Sequence, residues 1–176
     1  MPTSDIAVIT GAGSGIGANT AVRLARTGVT VALLDVNQEG LDRTDKSVQR
    51  AGGQAITLVA DVGDPDSVAD ALGRVPGDVV GLLNGAGVIV PLREPRPGGH
   101  GPQLGHVLRS RRSQLIDPRN THGRIGQPED VADVIAFLLG PAAAFVTGVD
   151  IPVDGGFVSQ VHLESQVPII ALDSQQ

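Results

Sequence analysis

The stretch Ile6-Ala-Val-Ile-Thr10-Gly11-Ala-Gly-Ser-Gly15-Ile-Gly17 decides how this chain is read. Its first four residues are a short continuous apolar run that meets glycines after Thr10, the pattern of a parallel strand, buried on both faces, entering a turn. Beyond the turn, Gly17, Ala21, Leu24 and Ala25 recur at helical spacing, with Arg23 and Arg26 on the opposite face. Gly28 stands where a helix C-terminus favours a left-handed residue. Strand, glycine turn and helix in this order make an anion site. Glycines let the backbone turn sharply and approach a pyrophosphate closely, and the N–H groups that open the helix supply donors at the positive end of its dipole. Gly11, Ser14, Gly15, Ile16 and Gly17 are therefore the expected contacts to a dinucleotide, although their Gly-x-x-x-Gly-x-Gly spacing differs from the common Gly-x-Gly-x-x-Gly form.

Working outward, the same strand-helix rhythm continues. Residues 29–35 read as a second strand ending in Asp35, 37–51 as a polar helix carrying Lys46, and 55–61 as a third strand. Asp64-Pro65-Asp66 opens a helix with the apolar stripe Val68, Ala71, Leu72 and Val75, and residues 78–84 form a fourth strand. Near the other end, Pro128 takes a first helical position with Glu129 and Asp130 in the first turn, and Val131, Val134, Ile135 and Leu138 make one face. Gly140-Pro141 ends that helix, and residues 149–153 read as a last strand, closed by Asp154-Gly155-Gly156. The fold expected is α/β: a doubly wound, Rossmann-like parallel sheet in the order 3-2-1-4, with the last strand beside strand four, incomplete in its second half. A single domain is expected: a cofactor-binding half over 1–90, an atypical basic segment over 91–124, a helix and strand over 125–156, and a tail over 157–176. Asp35, at the end of strand two, is placed to accept hydrogen bonds from the adenosine ribose and to repel a 2′-phosphate, so the cofactor expected is NAD in preference to NADP.

Composition excludes several chemistries. The chain has 176 residues, 13 basic and 19 acidic side chains, a net charge of −6, and no Cys, which removes disulfides, thiolate metal sites and thiol nucleophiles together. It shows no signal peptide and no apolar run long enough to span a bilayer, so a cytoplasmic location without membrane partners is expected. Residues 91–124 hold seven of the twelve Arg, three of the four His and five of the twelve Pro against two acids, and read as an exposed loop or disordered, with one short helix near 103–115. Their arginines, Arg109, Arg111 and Arg112 among them, have no interleaved aromatics and belong to an acidic protein, so no nucleic-acid partner is expected. His100, His106 and His122 have no rigid element to aim them, and Ser110 and Ser113 have no paired base, so none of the five is read as catalytic or metal-binding.

Residues 10–17, Asp35, Asp61-Val62 and Asn84-Gly85-Ala86-Gly87 resemble the N-terminal half of the short-chain dehydrogenase/reductase family. Gly123-Arg-Ile-Gly-Gln-Pro-Glu-Asp-Val-Ala132 and Phe145-Val-Thr-Gly-Val-Asp-Ile-Pro-Val-Asp-Gly-Gly156 resemble its C-terminal end. The resemblance implies that Asp61 and Val62 flank the adenine ring and that Asn84, Ala86 and Gly87 line the cofactor further along. Gly85 stands where the family usually has a second Asn, which is expected to loosen that turn. The implied activity is NAD-dependent oxidation of an alcohol or reduction of a ketone, using a Tyr, a Lys four residues later, a Ser and an Asn. This chain has no Tyr, and its single Lys, Lys46, lies on the wrong helix, so no catalytic residue is carried over. About 39 residues separate Gly87 from Gly126, where two βα units would need roughly 60. The chain is therefore expected to bind NAD and to be inactive. The alternatives are a non-catalytic NAD-binding or dimerisation module, forming a homo-oligomer, and a non-functional remnant of a deleted or frameshifted gene.

Overall fold

Strand β1 (Ile6–Thr10) is apolar up to its last residue because it runs between two neighbours and is covered on both faces. A computed structural model describes residues 5–87, 123–156 and 158. In it β1 pairs in parallel with β2 (Thr30–Asp35) on one side and β4 (Val79–Asn84) on the other, and β2 pairs with β3 (Ala55–Val59), giving the order β3-β2-β1-β4. The register sets Thr10 beside Leu34 on one side and Asn84 on the other, so the first, second and fourth strands end at one level. That level is where a doubly wound sheet holds its ligand.

Helices α1 (Gly15–Ala25) and α2 (Gln38–Arg50) cover one face. Ala21, Leu24 and Ala25 of α1 and Leu41 and Val48 of α2 pack with Ala7, Ile9, Val31 and Leu33. Helix α4 (Pro128–Leu138) joins the same cluster through Ala136, with Leu139 just beyond it, and its Asp133 pairs with Arg23 of α1. A turn of 3₁₀ helix, Pro141–Ala143, follows. On the other face Ile6, Val8, Ala32, Leu34, Leu58 and Ala60 are met by Ala71 of the short helix α3 (Pro65–Leu72), with Val75 packed against the cluster past the helix end. No helix among the described residues is long and apolar enough to cross a membrane.

The chain divides into two compact units. The first takes in the sheet, its four helices and residues up to 148. In the second, residues 123–126, 149–156 and 158 are described. There Asp154 accepts hydrogen bonds from the N–H groups of Gly156 at 2.9 Å and Val158 at 2.8 Å, closing a turn.

The expected last strand is corrected. Residues 149–153 adopt no strand, and no described segment pairs with the outer edge of β4. Alternating Val149, Ile151 and Val153 supply the right pattern, but a strand exists only where a neighbouring backbone completes its ladder. The basic segment with its short helix and the tail lie outside the described residues except at 123, 124 and 158, as do His100, His106, His122, Ser110 and Ser113.

Candidate functional site

The four strands end beneath one cavity of about 740 Å³, well within the range of small-molecule sites. Its walls are Gly11 and residues 14–17 after β1, Asp35 and Val36 after β2, residues 60–63 after β3, and residues 85–87 after β4.

The floor is the glycine turn. Gly11 has φ +70°, and a side chain there would meet the Gly85 carbonyl oxygen at 2.7 Å, so the turns after β1 and β4 close on each other only because this residue has no Cβ. A Cβ on Gly17 would lie 2.3 Å from the Gly11 carbonyl oxygen, which is how the first turn of α1 folds back over the loop. This helix opens differently from the other three. Asn37 accepts from the Gly40 N–H in α2, Asp64 accepts from the Asp66 N–H in α3, and Asp130 accepts from the Gln127 N–H in α4. Ser14, at the N-cap of α1, makes no such bond, and no acid occupies the first turn. Among the described residues, the N–H groups of residues 14–17 donate to no protein acceptor, leaving a cluster of donors at the positive end of the helix dipole.

Asp35 is fixed by the loop it faces. One carboxylate oxygen accepts from the Gly13 N–H and the other from the Asn37 N–H, both at 2.9 Å. A carboxylate has about four lone-pair sites, so this one is held rigidly and still has capacity towards the cavity. Asp61 is held by an analogous turn, accepting from the Gly63 N–H at 2.8 Å, while its own N–H donates to the Ser67 hydroxyl. Val36 and Val62 are exposed apolar surfaces of the cavity wall, and Ile16 adds a third.

The turn after β4, where Gly85 was expected to loosen the chain, is tied to β1. The Thr10 hydroxyl accepts from the N–H groups of both Gly85 and Ala86, at 3.1 and 3.2 Å, and ties this turn to β1. A second support comes from α2, where the buried Thr44 hydroxyl donates to the Ala12 carbonyl at 2.8 Å.

The structure thus brings together Gly11, Ser14, Gly15, Ile16, Gly17, Asp35, Asp61, Val62, Ala86 and Gly87. Asn84 does not line the cavity. It is the last residue of β4, in register with Thr10. Val36, Ala60, Gly63 and Gly85, not singled out from the sequence as contacts, do line it. Each adjoins an expected residue, so the signal was position after a strand end. Thr44 carried no such signal. Lys46 is exposed on α2 and forms no part of the wall.

A crevice over the ends of a 3-2-1-4 sheet, with bare helical donors and a fixed carboxylate, defines a Rossmann-like nucleotide-binding fold. The family model for short chain dehydrogenases matches residues 5–98, more than half of the chain, and the chain belongs to that family. A second model, described as enoyl-(acyl carrier protein) reductase, matches residues 107–158 and so begins inside the arginine-rich segment. A 1-deoxy-11-beta-hydroxypentalenate dehydrogenase of Streptomyces exfoliatus is 38% identical over 92 residues, covering 51% of this chain and 34% of that enzyme. This chain thus spans about a third of the length of such curated relatives. A cis-4-hydroxycyclohexanecarboxylate dehydrogenase of Sinomonas cyclohexanicum is 27% identical, with 88% of this chain and 96% of that enzyme covered. That match runs over 241 positions, more than the 176 residues present, so the relative has a substantial internal stretch without counterpart here. Among solved structures, levodione reductase superposes with a TM-score of 0.73 at 21% identity over 89% of this chain and 98% of its own. A blue fluorescent protein from a metagenomic library, solved with NADPH, gives 0.70 at 22% over 88% and 98%. These two likenesses concern the fold.

Proposed function

We propose that this chain binds a nicotinamide dinucleotide, NAD in preference to NADP, and does not catalyse the hydride transfer of its family. The observation that carries the reading is the pairing of the uncapped start of α1 with Asp35 across one cavity. The N–H groups of residues 14–17 would hold the pyrophosphate, and Asp35 would accept from the adenosine ribose hydroxyls. Asp61 and Val62 would flank the adenine, and Ala86 and Gly87 would line the part of the dinucleotide beyond the pyrophosphate. A 2′-phosphate would set negative charge against the Asp35 carboxylate.

When bound, the nicotinamide supplies a hydride donor or acceptor, and the carbonyl oxygen of a substrate then needs a matched acid. This chain has no Tyr, its one Lys is exposed on α2, and the ionisable side chains lining the cavity, Asp35 and Asp61, are both held as hydrogen-bond acceptors. The internal stretch that relatives carry and this chain lacks supports the same conclusion.

NADH fluorescence titration and calorimetry test the binding half. The expected outcome is NAD at least about tenfold tighter than NADP, with the difference removed in Asp35→Asn. Gly17→Val, which forces a side chain into the Gly11 carbonyl, is expected to abolish binding. Turnover of any secondary alcohol or ketone by rigorously purified protein overturns the inactive reading, and absence of NADH binding overturns the whole proposal.

A further inference from the structure

We propose that Asn84-Gly85, at the end of β4, is a site of spontaneous covalent modification: the Asn84 side-chain amide is lost through a succinimide, and the Thr10 hydroxyl sets how fast.

The pair is labile for a reason that packing supplies. Attack on an asparagine side-chain carbonyl by the next backbone nitrogen is hindered by the next residue's side chain, so a following glycine leaves that nitrogen most accessible. Of the four asparagines, Asn19, Asn37, Asn84 and Asn120, only Asn84 precedes a glycine. Packing favours glycine there: a Cβ at position 85 would lie 2.9 Å from the Thr10 carbonyl oxygen, and one on Gly11 would lie 2.7 Å from the Gly85 carbonyl oxygen. The close approach of the turns after β1 and β4 thus creates the labile dipeptide. Asn84 and Gly85 are both exposed, so water and hydroxide reach them. The Asn19 side chain donates to the Gly15 carbonyl at 2.9 Å and that of Asn37 accepts from the Gly40 N–H at 3.1 Å, so both are engaged elsewhere.

Water is the only co-reactant. Hydroxide removes the Gly85 N–H proton, and the nitrogen attacks Cγ of Asn84. An N–Cγ bond forms, the Cγ–Nδ2 bond breaks, and Nδ2 takes a proton from water and leaves as ammonia. Water then opens the ring. Cleavage of the N–Cγ bond gives aspartate, and cleavage between the nitrogen and the Asn84 backbone carbonyl gives isoaspartate, whose main chain is one carbon longer. Nothing is oxidised or reduced.

The proton that must leave first is the one that Thr10 holds. The Gly85 and Ala86 N–H groups both donate to its hydroxyl, at 3.1 and 3.2 Å, and the ladder between β1 and β4 ends at the Thr10–Asn84 pair. One hydroxyl therefore restrains the peptide beyond the strand against the rotation that brings its nitrogen to Cγ. Both products alter the cavity, because residues 85–87 line it: each places a carboxylate at the end of β4, and isoaspartate also displaces the turn. On the nucleotide-binding reading, on which this consequence alone rests, either product weakens an anionic ligand.

Incubating the full chain at mildly alkaline pH and following peptide masses tests the proposal without a ligand. The expected result is a gain of about 1 Da at Asn84, while Asn19 and Asn37 stay intact and Asn84→Gln shows no gain. Thr10→Val should speed the loss of Asn84 at least about fivefold, the factor for one ordinary hydrogen bond, and Thr10→Ser, which keeps the hydroxyl, should restore the parent rate. Equal rates in Thr10→Val and the parent, or an acceleration shared by Asn19 and Asn37 and so due to unfolding, overturn the role of Thr10. An Asn84 that keeps its mass in the folded chain while the chain unfolded in urea converts overturns the proposal. Failure of fresh protein to bind NADH overturns the nucleotide reading and leaves the modification standing.

Discussion

Strands β1 and β4 lie side by side with similar apolar sequences, Ile-Ala-Val-Ile-Thr and Val-Val-Gly-Leu-Leu-Asn, and have opposite environments. Every residue of β1 is buried, whereas Val79, Val80 and Leu82 of β4 are each more than half exposed. The difference comes from neighbours. β1 is paired on both edges and packed by α1 on one face and the α3 side on the other, while β4, among the described residues, is paired on one edge only. Its half-buried positions are Gly81 and Leu83, and Leu83 packs against the cluster shared with α4. The nucleotide cavity spans the boundary between these two environments, with its donors and fixed carboxylate on the buried side and its plainest wall on the β4 side. What the β1 side offers a ligand is preorganised by a close-packed core; what the β4 side offers is backbone.

Substitutions can break this contrast. Val8 and Leu82 are partners in register, so Val8→Asp and Leu82→Asp place the same charge on adjacent strands. Val8→Asp buries an unpaired carboxylate and should cost more than about 4 kcal/mol, enough to abolish a cooperative melt, whereas Leu82→Asp should lie within about 0.5 kcal/mol of the parent. Equal effects in thermal denaturation would show that β4 is as enclosed as β1.

An intermediate effect is expected where α2 supports the glycine turn. Thr44→Val keeps the volume but removes the donor to the Ala12 carbonyl, at a cost of about 1–2 kcal/mol. It should also weaken NAD binding, because the turn loses its buried support. Thr44→Ser, which keeps the hydroxyl, should recover affinity more fully than it recovers stability; the opposite order would assign Thr44 to packing alone.

The smallest effect sharpens the comparison at the surface. Arg23 of α1 and Asp133 of α4 are paired, but their side chains are 33% and 58% exposed. Arg23→Ala should therefore cost only about 0.2–1 kcal/mol, less at high salt, so that α4 is retained by Ala136 and Leu139. A double-mutant cycle with Asp133→Ala measures the pair directly.

Much of the cofactor half was legible because its signals are local. An apolar run meeting glycines, a strand ending in Asp35, and Asp64-Pro65 opening a helix each state a backbone requirement within a few residues. Ten of the eleven expected contacts line the cavity for this reason. Asn84 is not among the lining residues, and the turn beyond it, at residues 85–87, is what reaches the wall. Arg23 was read as solvent-facing from the α1 pattern alone, and only the arrival of a helix more than a hundred residues later turned that face into a contact. Residues 149–153 show the same limit in reverse: alternation promised a strand, and among the described residues none pairs with them.

The sequence by itself determined the parallel βα units, the glycine turn that opens α1, the acid at the end of β2 and the lack of a phenol to donate a proton. These depend on residue type, spacing and count, which no packing can alter. Tertiary structure alone decided that, among the described residues, the sheet runs β3-β2-β1-β4, that Thr10 holds the Gly85 turn, and that Thr44 and Arg23 have partners. Such facts depend on which distant segment lies alongside, and a hydrogen bond or an ion pair has no counterpart in the local pattern until that neighbour is present.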